Sequence, residues 1–149
     1  MLMAIGNKIK SRDAFSMLEV MVAFTILAVG ILAIVPITVF MLQSNIHNKN
    51  IAQARLIAEQ YAENFRAIDY ENAILMDDGD TTDLDDIINP DFSDTVDFEG
   101  QDYVVSWNIA TNLPSPGIKS VNIIVSWQST VDDFTHRLDF LTYKAAVSR

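Results

Sequence analysis

The stretch "DAFSMLEVMVAFTILAVG", residues 13–30, opens the segment that decides the fold of this chain. An uncharged run begins inside it and extends from Val20 to Leu42. At about 1.5 Å per residue, a helix of this length crosses a hydrocarbon core of roughly 30 Å. Glu19 lies at the leading end of the run, with no basic residue beside it. Because a carboxylate in lipid is costly unless it is paired, Glu19 is a candidate functional residue.

The charges on the two sides of the apolar run differ in sign. Lys8, Lys10 and Arg12 precede it, offset only by Asp13, whereas the whole chain of 149 residues has a net charge of −10. A basic segment ahead of a spanning helix predicts a cytoplasmic N-terminus and places the C-terminal part outside. The acidic remainder would repel phosphates, which argues against nucleic acid as a partner. The chain has no cysteine, which excludes disulfides and thiolate metal sites.

Two familiar kinds of N-terminal segment explain this pattern only in part. A cleavable secretory signal has an apolar stretch of about 7 to 15 residues followed by an A-x-A site. The run here is longer, and the A-x-A triplet at 52–54 lies well beyond Leu42, after Lys49. A plain signal anchor fits the length and the flanking charges, but it leaves Glu19 unexplained.

The stretch "AFSMLEVMVAFTILAVGILAIVP", residues 14–36, resembles the N-terminal signal of type IV prepilins and type II secretion pseudopilins. In that family a peptidase at the cytoplasmic face cuts after a small residue, usually glycine. It then methylates the new N-terminus, usually a phenylalanine, and the fifth residue after the cut is a glutamate. The resemblance implies a leader that ends at Ala14, a mature N-terminus at Phe15, and Glu19 as the family's glutamate.

The resemblance also supplies a partner for Glu19. Cleavage creates an α-amino group on Phe15, and Glu19 can pair with the amine of a neighbouring subunit when helices pack into a filament. Such a pair also sets the register of the helices, because an unpaired charge in a low-dielectric bundle is penalised. The sequence departs from the family at Ala14, which is small but not glycine, and at Ser16 and Met17, where threonine and leucine are commoner.

Two residues weaken the helix inside the apolar run. Pro36 lacks the N–H that a helix interior uses, and Gly30 adds conformational freedom. Membrane helices tolerate such residues where neighbours satisfy the freed backbone groups. Pro36 also falls where many pilins have a helix-breaking proline. The resemblance therefore implies that residues 28–36 can unwind in the assembled filament.

Beyond Leu42 the pattern stays helical and becomes amphipathic. Successive spacings of four, three, four and three residues place one apolar stripe on a helix. The stripe consists of Ala54, Ala58, Tyr61, Phe65 and Ile68. No glycine or proline occurs from Ile37 to Met76. Residues 43–76 are therefore predicted to continue the spanning helix, with one face against a globular head.

Residues 77–102, the acidic segment, contain eleven acidic residues and no basic one. Glycine and proline punctuate this segment, which predicts an irregular connection. Its carboxylates suggest a weak calcium site, because calcium takes several oxygen ligands. The candidate ligands are Asp78, Asp80, Asp83 and Asp85. The spacing does not match an EF-hand, since Gly79 falls where the loop glycine should not be. A solvated acidic face without an ion is the alternative.

Three stretches toward the C-terminus alternate between apolar and polar residues, with many β-branched and aromatic side chains, as is typical of strands. The residues predicted to share the buried face are Tyr103, Val105, Trp107 and Ile109 in the first, Val121, Ile123, Val125 and Trp127 in the second, and Phe134, His136, Leu138 and Phe140 in the third. Short links predict an antiparallel meander. The amphipathic half of the helix would cover its apolar face.

Few other residues suggest chemistry. Trp107 and Trp127 are predicted to be core residues, because both fall on the apolar face. His136 is predicted to be a hydrogen-bonded core residue, and His47 a surface residue just outside the membrane. No Ser/His/Asp set, glycine-rich phosphate loop or His-rich metal spacing is visible in the sequence. We therefore expect a protein that is not an enzyme and needs no cofactor, calcium being the weak exception.

The predicted fold is α+β, with a long N-terminal helix packed on a small antiparallel sheet. The expected organisation is a cleaved leader at 1–14, an apolar helix at 15–42, an amphipathic helix at 43–76, and a head at 77–149 that contains the acidic loop and the sheet. The resemblance is strong to about residue 62. It continues loosely in "YVVSWNI" and "PSPGIKSVNIIVSW", which look similar to PilV-like minor pilins.

The resemblance implies a minor pilin that acts in assembly or at the tip of a type IV pilus. Its expected partners are other pilins, the prepilin peptidase, the inner-membrane assembly platform and, before assembly, the lipid bilayer. The expected location is the bacterial inner membrane and then a surface pilus. A minor pseudopilin of a type II secretion system, in a periplasmic pseudopilus, is the alternative within the family. An alternative of another class is an anchored calcium- or ligand-binding head that never polymerises.

Overall fold

The structure, a computed structural model, describes residues 16–146. Helix α1 spans Met17–Ala67 and is followed by a short 3₁₀ turn at Ala73–Leu75. Four strands then follow: β1 (Phe92–Phe98), β2 (Gln101–Thr111), β3 (Ile118–Gln128) and β4 (Thr135–Ala145). The chain divides into two compact units, Met1–Leu42 and Gln43–Arg149.

The first unit consists, in its described part, of the apolar beginning of α1. All of residues 16–42 are exposed, although most of them are apolar. The most apolar part of the helix has a mean hydropathy of 2.8, and none of it is buried. By length and composition, α1 is able to cross a membrane.

The second unit is a four-stranded sheet covered by the later part of α1. The strands lie in the order β1-β2-β3-β4, and every neighbouring pair is antiparallel. The faces predicted for β2 and β3 are confirmed, because all eight residues on them are buried. From α1, the buried residues include Ala54, Ala58 and Phe65 of the predicted stripe. The predicted α+β class, with a long helix on an antiparallel sheet, is confirmed.

Helix α1 ends at Ala67, earlier than the predicted end at residue 76. Two lysines from the sheet bind backbone carbonyls at and beyond this end: Lys144 binds those of Arg66 and Ile68, and Lys119 binds those of Tyr70 and Leu75. A cation near the last carbonyls of a helix favours termination there. Because these lysines are distant in sequence and no glycine or proline lies near Ala67, the residues around the helix end did not predict it.

Strand β1 lies inside the acidic segment, where the sequence predicted an irregular connection and only three strands were expected. Its face toward the helix carries Asp94 between apolar residues, and the Tyr61 hydroxyl donates to that carboxylate at 2.6 Å. This polar pair breaks the apolar alternation that would have identified the strand. Glu99 and Gly100, both at positive φ, form the two-residue hairpin loop to β2.

The outer face of the sheet is also covered, which the sequence did not predict. Asn108 Nδ2 donates to the carbonyls of Asp83 and Asp86, and Asn122 Nδ2 donates to that of Leu84. Residues 83–86 of the acidic segment therefore lie across β2 and β3 on the side opposite α1. As a result, Asn108 is fully buried.

The face predicted for the last strand needs one correction. Phe134 precedes β4 and is 70% exposed, because it belongs to the turn in which Asp133 adopts a positive φ. Leu138 and Phe140 pack against the core as predicted. His136 lies on the same face but is only half-buried.

Candidate functional sites

The start of helix α1 is capped beside Glu19. The Glu19 N–H donates to the Ser16 hydroxyl at 3.2 Å and to the Ser16 carbonyl at 3.0 Å, so Ser16 caps the helix. The spacing S-x-x-E is that of a capping box, in which a glutamate or glutamine suits the third helical position. Glu19 thus has a local structural role available to it besides pairing. Ala14 and Phe15, the predicted cleavage site, lie outside the described residues.

Gly30 and Pro36 do not interrupt the helix in the single chain. Helix α1 runs through both of them, and Pro36 lies well inside it. Apart from Gly30 itself, its two chain neighbours and the backbone of the same helix, no heavy atom of the described chain lies within 4 Å of the position that a Cβ on Gly30 would occupy. The unwinding of residues 28–36 concerns the assembled filament and stays a prediction.

The acidic segment brings three carboxylates together. Within residues 16–146, an oxygen from each of Asp78, Asp83 and Asp91 lies within 4.8 Å of the others, the only such group of three possible metal ligands. Two of the four predicted calcium ligands, Asp78 and Asp83, belong to this group, and Asp91 was not predicted. Asp80 and Asp85 do not belong to it. Asp91 directly precedes β1, a strand that the sequence analysis did not identify, so its position beside Asp78 and Asp83 was not predicted.

The three carboxylates differ in their surroundings. Burial, with the neighbouring charges of Asp91 and Asp78, raises the pKa of Asp83, and its Oδ1 is buried with no partner among the described residues. Burial also raises the pKa of Asp91, although this carboxylate accepts the N–H groups of Asp78 and Ile109. A cation bound between the three carboxylates would offset the free-energy cost of burying them in the charged form, because it would compensate their mutual repulsion.

Aspartates also hold the acidic segment against the edge of β2. Beyond Trp107, β2 has no partner in β1, and its N–H groups there bind carboxylates instead. Ile109 N–H donates to Asp91 and Thr111 N–H donates to Asp77, both at 2.7 Å. These bonds satisfy an edge that would otherwise be open, so part of the acidic composition is structural.

A polar layer lies at one end of the helix–sheet interface, and of its helix residues the sequence analysis considered only His47, as a surface residue. It consists of His47, Asn50 and Gln53 from α1 with Tyr103, Trp127 and His136 from the sheet. The Tyr103 hydroxyl donates to Gln53 Oε1 at 2.9 Å, and Gln53 Nε2 donates to Glu99. His47, Asn50 and Gln53 are spaced three residues apart, and this spacing was the sequence signal that they share one face of the helix.

The two histidines of this layer touch. Their ring centroids lie 5.1 Å apart, edge to face, and His47, which was predicted to be a surface residue, is half-buried. His136 also stacks on Trp127, at 5.8 Å between ring centroids, and its Nε2 contacts both oxygens of Asp132 at 3.0 and 3.2 Å. The prediction that His136 is hydrogen-bonded is confirmed, although its partner lies in a loop.

A comparison with protein families bears on the first unit. A model described as the prokaryotic N-terminal methylation motif matches residues 9–35. This match supports a type IV pilin-like family, either pilin or pseudopilin, and implies pilin-family partners and processing by a prepilin peptidase. The motif and the apolar helix also fit anchoring in the inner membrane. No curated protein and no solved structure matches the chain.

Proposed function

We propose that this protein is a minor pilin, a structural subunit that acts in the assembly or at the tip of a type IV pilus. The observation that carries the proposal is the described part of the first unit. It is an apolar helix that is exposed along its whole length. The one carboxylate in its first turn, that of Glu19, lies inside the matched methylation motif. Such a surface has to be covered by lipid or by other helices.

In this proposal the subunit is made as an inner-membrane protein with its N-terminus in the cytoplasm. The assembly platform then extracts it, and Glu19 pairs with the α-amino group of Phe15 on a neighbouring pilin. The second unit is the part presented at the surface. A looser likeness of β2 and β3 to PilV-like minor pilins favours the minor role. The chain acts as a structural subunit in this proposal and catalyses no reaction.

The mature N-terminus tests the processing step. We expect mass spectrometry of the protein from membranes to find a chain that begins at N-methylated Phe15. A peptidase-deficient strain is the control, and there the chain should begin at Met1. A mature chain that begins near Arg55, or that keeps Met1 in the wild-type strain, would contradict the proposal.

A minor pseudopilin of a type II secretion system is the second candidate, because the same motif serves both machines. The two differ in where the protein is found after assembly. Sheared surface filaments should contain a pilin, whereas a pseudopilin should stay in the cell envelope and be required for secretion. Deleting the gene and measuring both piliation and secreted protein separates them.

A membrane-anchored calcium-binding module is the candidate of another class, and the group formed by Asp78, Asp83 and Asp91 favours it. If calcium binds only the native state, millimolar calcium should raise the melting temperature of the full chain in detergent. Asp83→Asn should abolish the rise, whereas Asp97→Asn, on an exposed strand residue, should not. An unchanged melting temperature would identify a solvated acidic face that binds no calcium.

A further inference from the structure

The histidine pair of the polar layer brings together the only two histidines in the chain. One comes from α1 and the other from β4, so the contact depends on the tertiary fold. Both rings are half-buried, which leaves part of each accessible to solvent. Neither ring is needed to fill the apolar core, which is formed by other residues.

The two rings are close enough to share one metal ion. An imidazole nitrogen binds a transition metal at about 2.0–2.1 Å, so the ion lies about 3 Å from the ring centre. The centroids of two rings that bind one ion are therefore at most about 6.5 Å apart. The observed separation between His47 and His136 is 5.1 Å, below this limit. Because the rings meet edge to face, the His47 ring has to turn before a nitrogen of each ring points at one ion.

Asp132 prepares His136 to act as a ligand. Its carboxylate contacts Nε2 of His136 at 3.0 and 3.2 Å, and a carboxylate can only accept a hydrogen bond. Nε2 therefore carries the proton, and in the neutral ring Nδ1 has a free lone pair. Metal-binding histidines commonly donate their second nitrogen to a carboxylate in this way. The stacking on Trp127 fixes the plane of the same ring.

We propose that His47 and His136 form a binding site for a divalent transition metal ion such as Zn²⁺ or Ni²⁺, and that Asp132 positions His136. Imidazole ligands suit these metals. Two protein nitrogens leave the other coordination positions to water or to a side chain of another subunit. A bound ion would link α1 to the loop and strand that carry Asp132 and His136. The proposal does not depend on whether the protein assembles into a filament.

Trp127 reports on this site, which makes the test direct. It stacks on His136, whereas Trp107 packs among Phe65 and Phe92. The full chain, purified in detergent without a polyhistidine tag, is titrated with NiCl₂ while tryptophan fluorescence is recorded. We expect saturable quenching with one ion per chain, and Trp127→Phe should remove most of the quenched emission. Titration calorimetry with ZnCl₂ should give the same stoichiometry.

Four variants decide whether the histidines are the ligands. His47→Gln and His136→Gln should each weaken binding by more than about tenfold, and Asp132→Asn by about 10- to 100-fold. Asp83→Asn, in the carboxylate group, should leave the quenching unchanged and so exclude that group as its source. Circular dichroism confirms that each variant is folded, and His47→Gln, at a half-buried position outside the apolar core, keeps the test valid if His136→Gln unfolds.

Two results would overturn the proposal. One is quenching that does not saturate or that persists in both histidine variants, which would mean that the rings only pack against each other. The other is binding that survives His47→Gln and is lost in His136→Gln, because His136 would then bind the ion without His47.

Discussion

Asn108 fastens the acidic segment to the sheet, and replacing it with alanine should destabilise the second unit strongly. Its side chain is fully buried and makes three hydrogen bonds to backbone groups. Nδ2 donates to the carbonyls of Asp83 at 2.8 Å and Asp86 at 2.7 Å, and Oδ1 accepts the N–H of Asp91 at 2.9 Å. Asn108→Ala leaves all three groups without this partner.

The magnitude follows from the number of bonds. A hydrogen bond contributes about 1 kcal/mol net, so the loss of three should lower the free energy of unfolding by about 3 kcal/mol. For a unit of about one hundred residues, this corresponds to a fall of roughly 10–15 °C in melting temperature. Asn122→Ala is the matched comparison, because its side chain makes one such bond, to Leu84, and it should cost about 1 kcal/mol.

The assay is thermal unfolding of the full chain in detergent, followed by tryptophan fluorescence. Both tryptophans lie in the core on the inner face of the sheet and report on its unfolding. Asn89→Ala, at an exposed position of the acidic segment, controls for the loss of an amide as such. If Asn108→Ala lowers the melting temperature no more than Asn122→Ala does, the acidic segment is not fastened as described.

Two further predictions concern charges in the second unit. Lys119→Met should cost about 3 kcal/mol or more in unfolding free energy, because the buried ammonium donates to the carbonyls of Tyr70 and Leu75; Lys49→Met, which loses only an exposed ion pair, should cost at most about 1 kcal/mol. Urea denaturation of the two variants measures the difference, and equal effects would contradict the role of Lys119. Acidification from pH 7 toward the ordinary aspartate pKa of about 4 should raise the melting temperature, because burial raises the folded-state pKa of Asp83 and of Asp91 and their protonation then favours the folded state. Below about pH 4 the melting temperature should fall, as carboxylates with a lowered pKa lose their native hydrogen bonds; these are Asp80, Asp94, Glu99 and Asp132. A melting temperature that falls steadily from pH 7 downward would show that Asp83 and Asp91 are not destabilised by burial.

The parts of the fold that follow from local pattern were predictable from the sequence. Alternation identified β2 and β3 and the face of each that is buried, and helical spacing identified the stripe on α1. Both signals are periodic because one face of each element meets the core. The start of α1 also has a local signal, the capping-box spacing of Ser16 and Glu19, although the sequence prediction rested on Glu19 alone.

The parts that depend on distant residues were not predictable in this way. The end of α1 is set by lysines from β3 and β4, and no local breaker marks it. Strand β1 was not predicted because Asp94 interrupts its apolar alternation, and the partner of Asp94, Tyr61, lies on the helix. The histidine contact and the three-carboxylate group likewise join residues that the chain brings together only on folding.

In the proposed function, the charge of Glu19 serves assembly. Glu19 lies in the unit in which no described residue is buried, so its replacement should leave the folding of the second unit unchanged. The structure supplies a sharp comparison, because glutamine also suits the capping position but has no charge. Glu19→Gln therefore removes the charge pair while it preserves the start of the helix.

The deciding measurement is the amount of Glu19→Gln protein in sheared filaments relative to the wild type, with Glu19→Ala and the exposed-site variant Glu71→Gln alongside. An unpaired charge in the bundle costs several kcal/mol, and about 1.4 kcal/mol is a factor of ten in an equilibrium. We expect both Glu19 variants to be cleaved and membrane-resident but depleted more than about tenfold from filaments, and Glu71→Gln to be incorporated normally. Normal incorporation of Glu19→Gln would contradict the account: if Glu19→Ala were depleted, the residue would serve as a helix cap, and if it were not, the carboxylate would be dispensable.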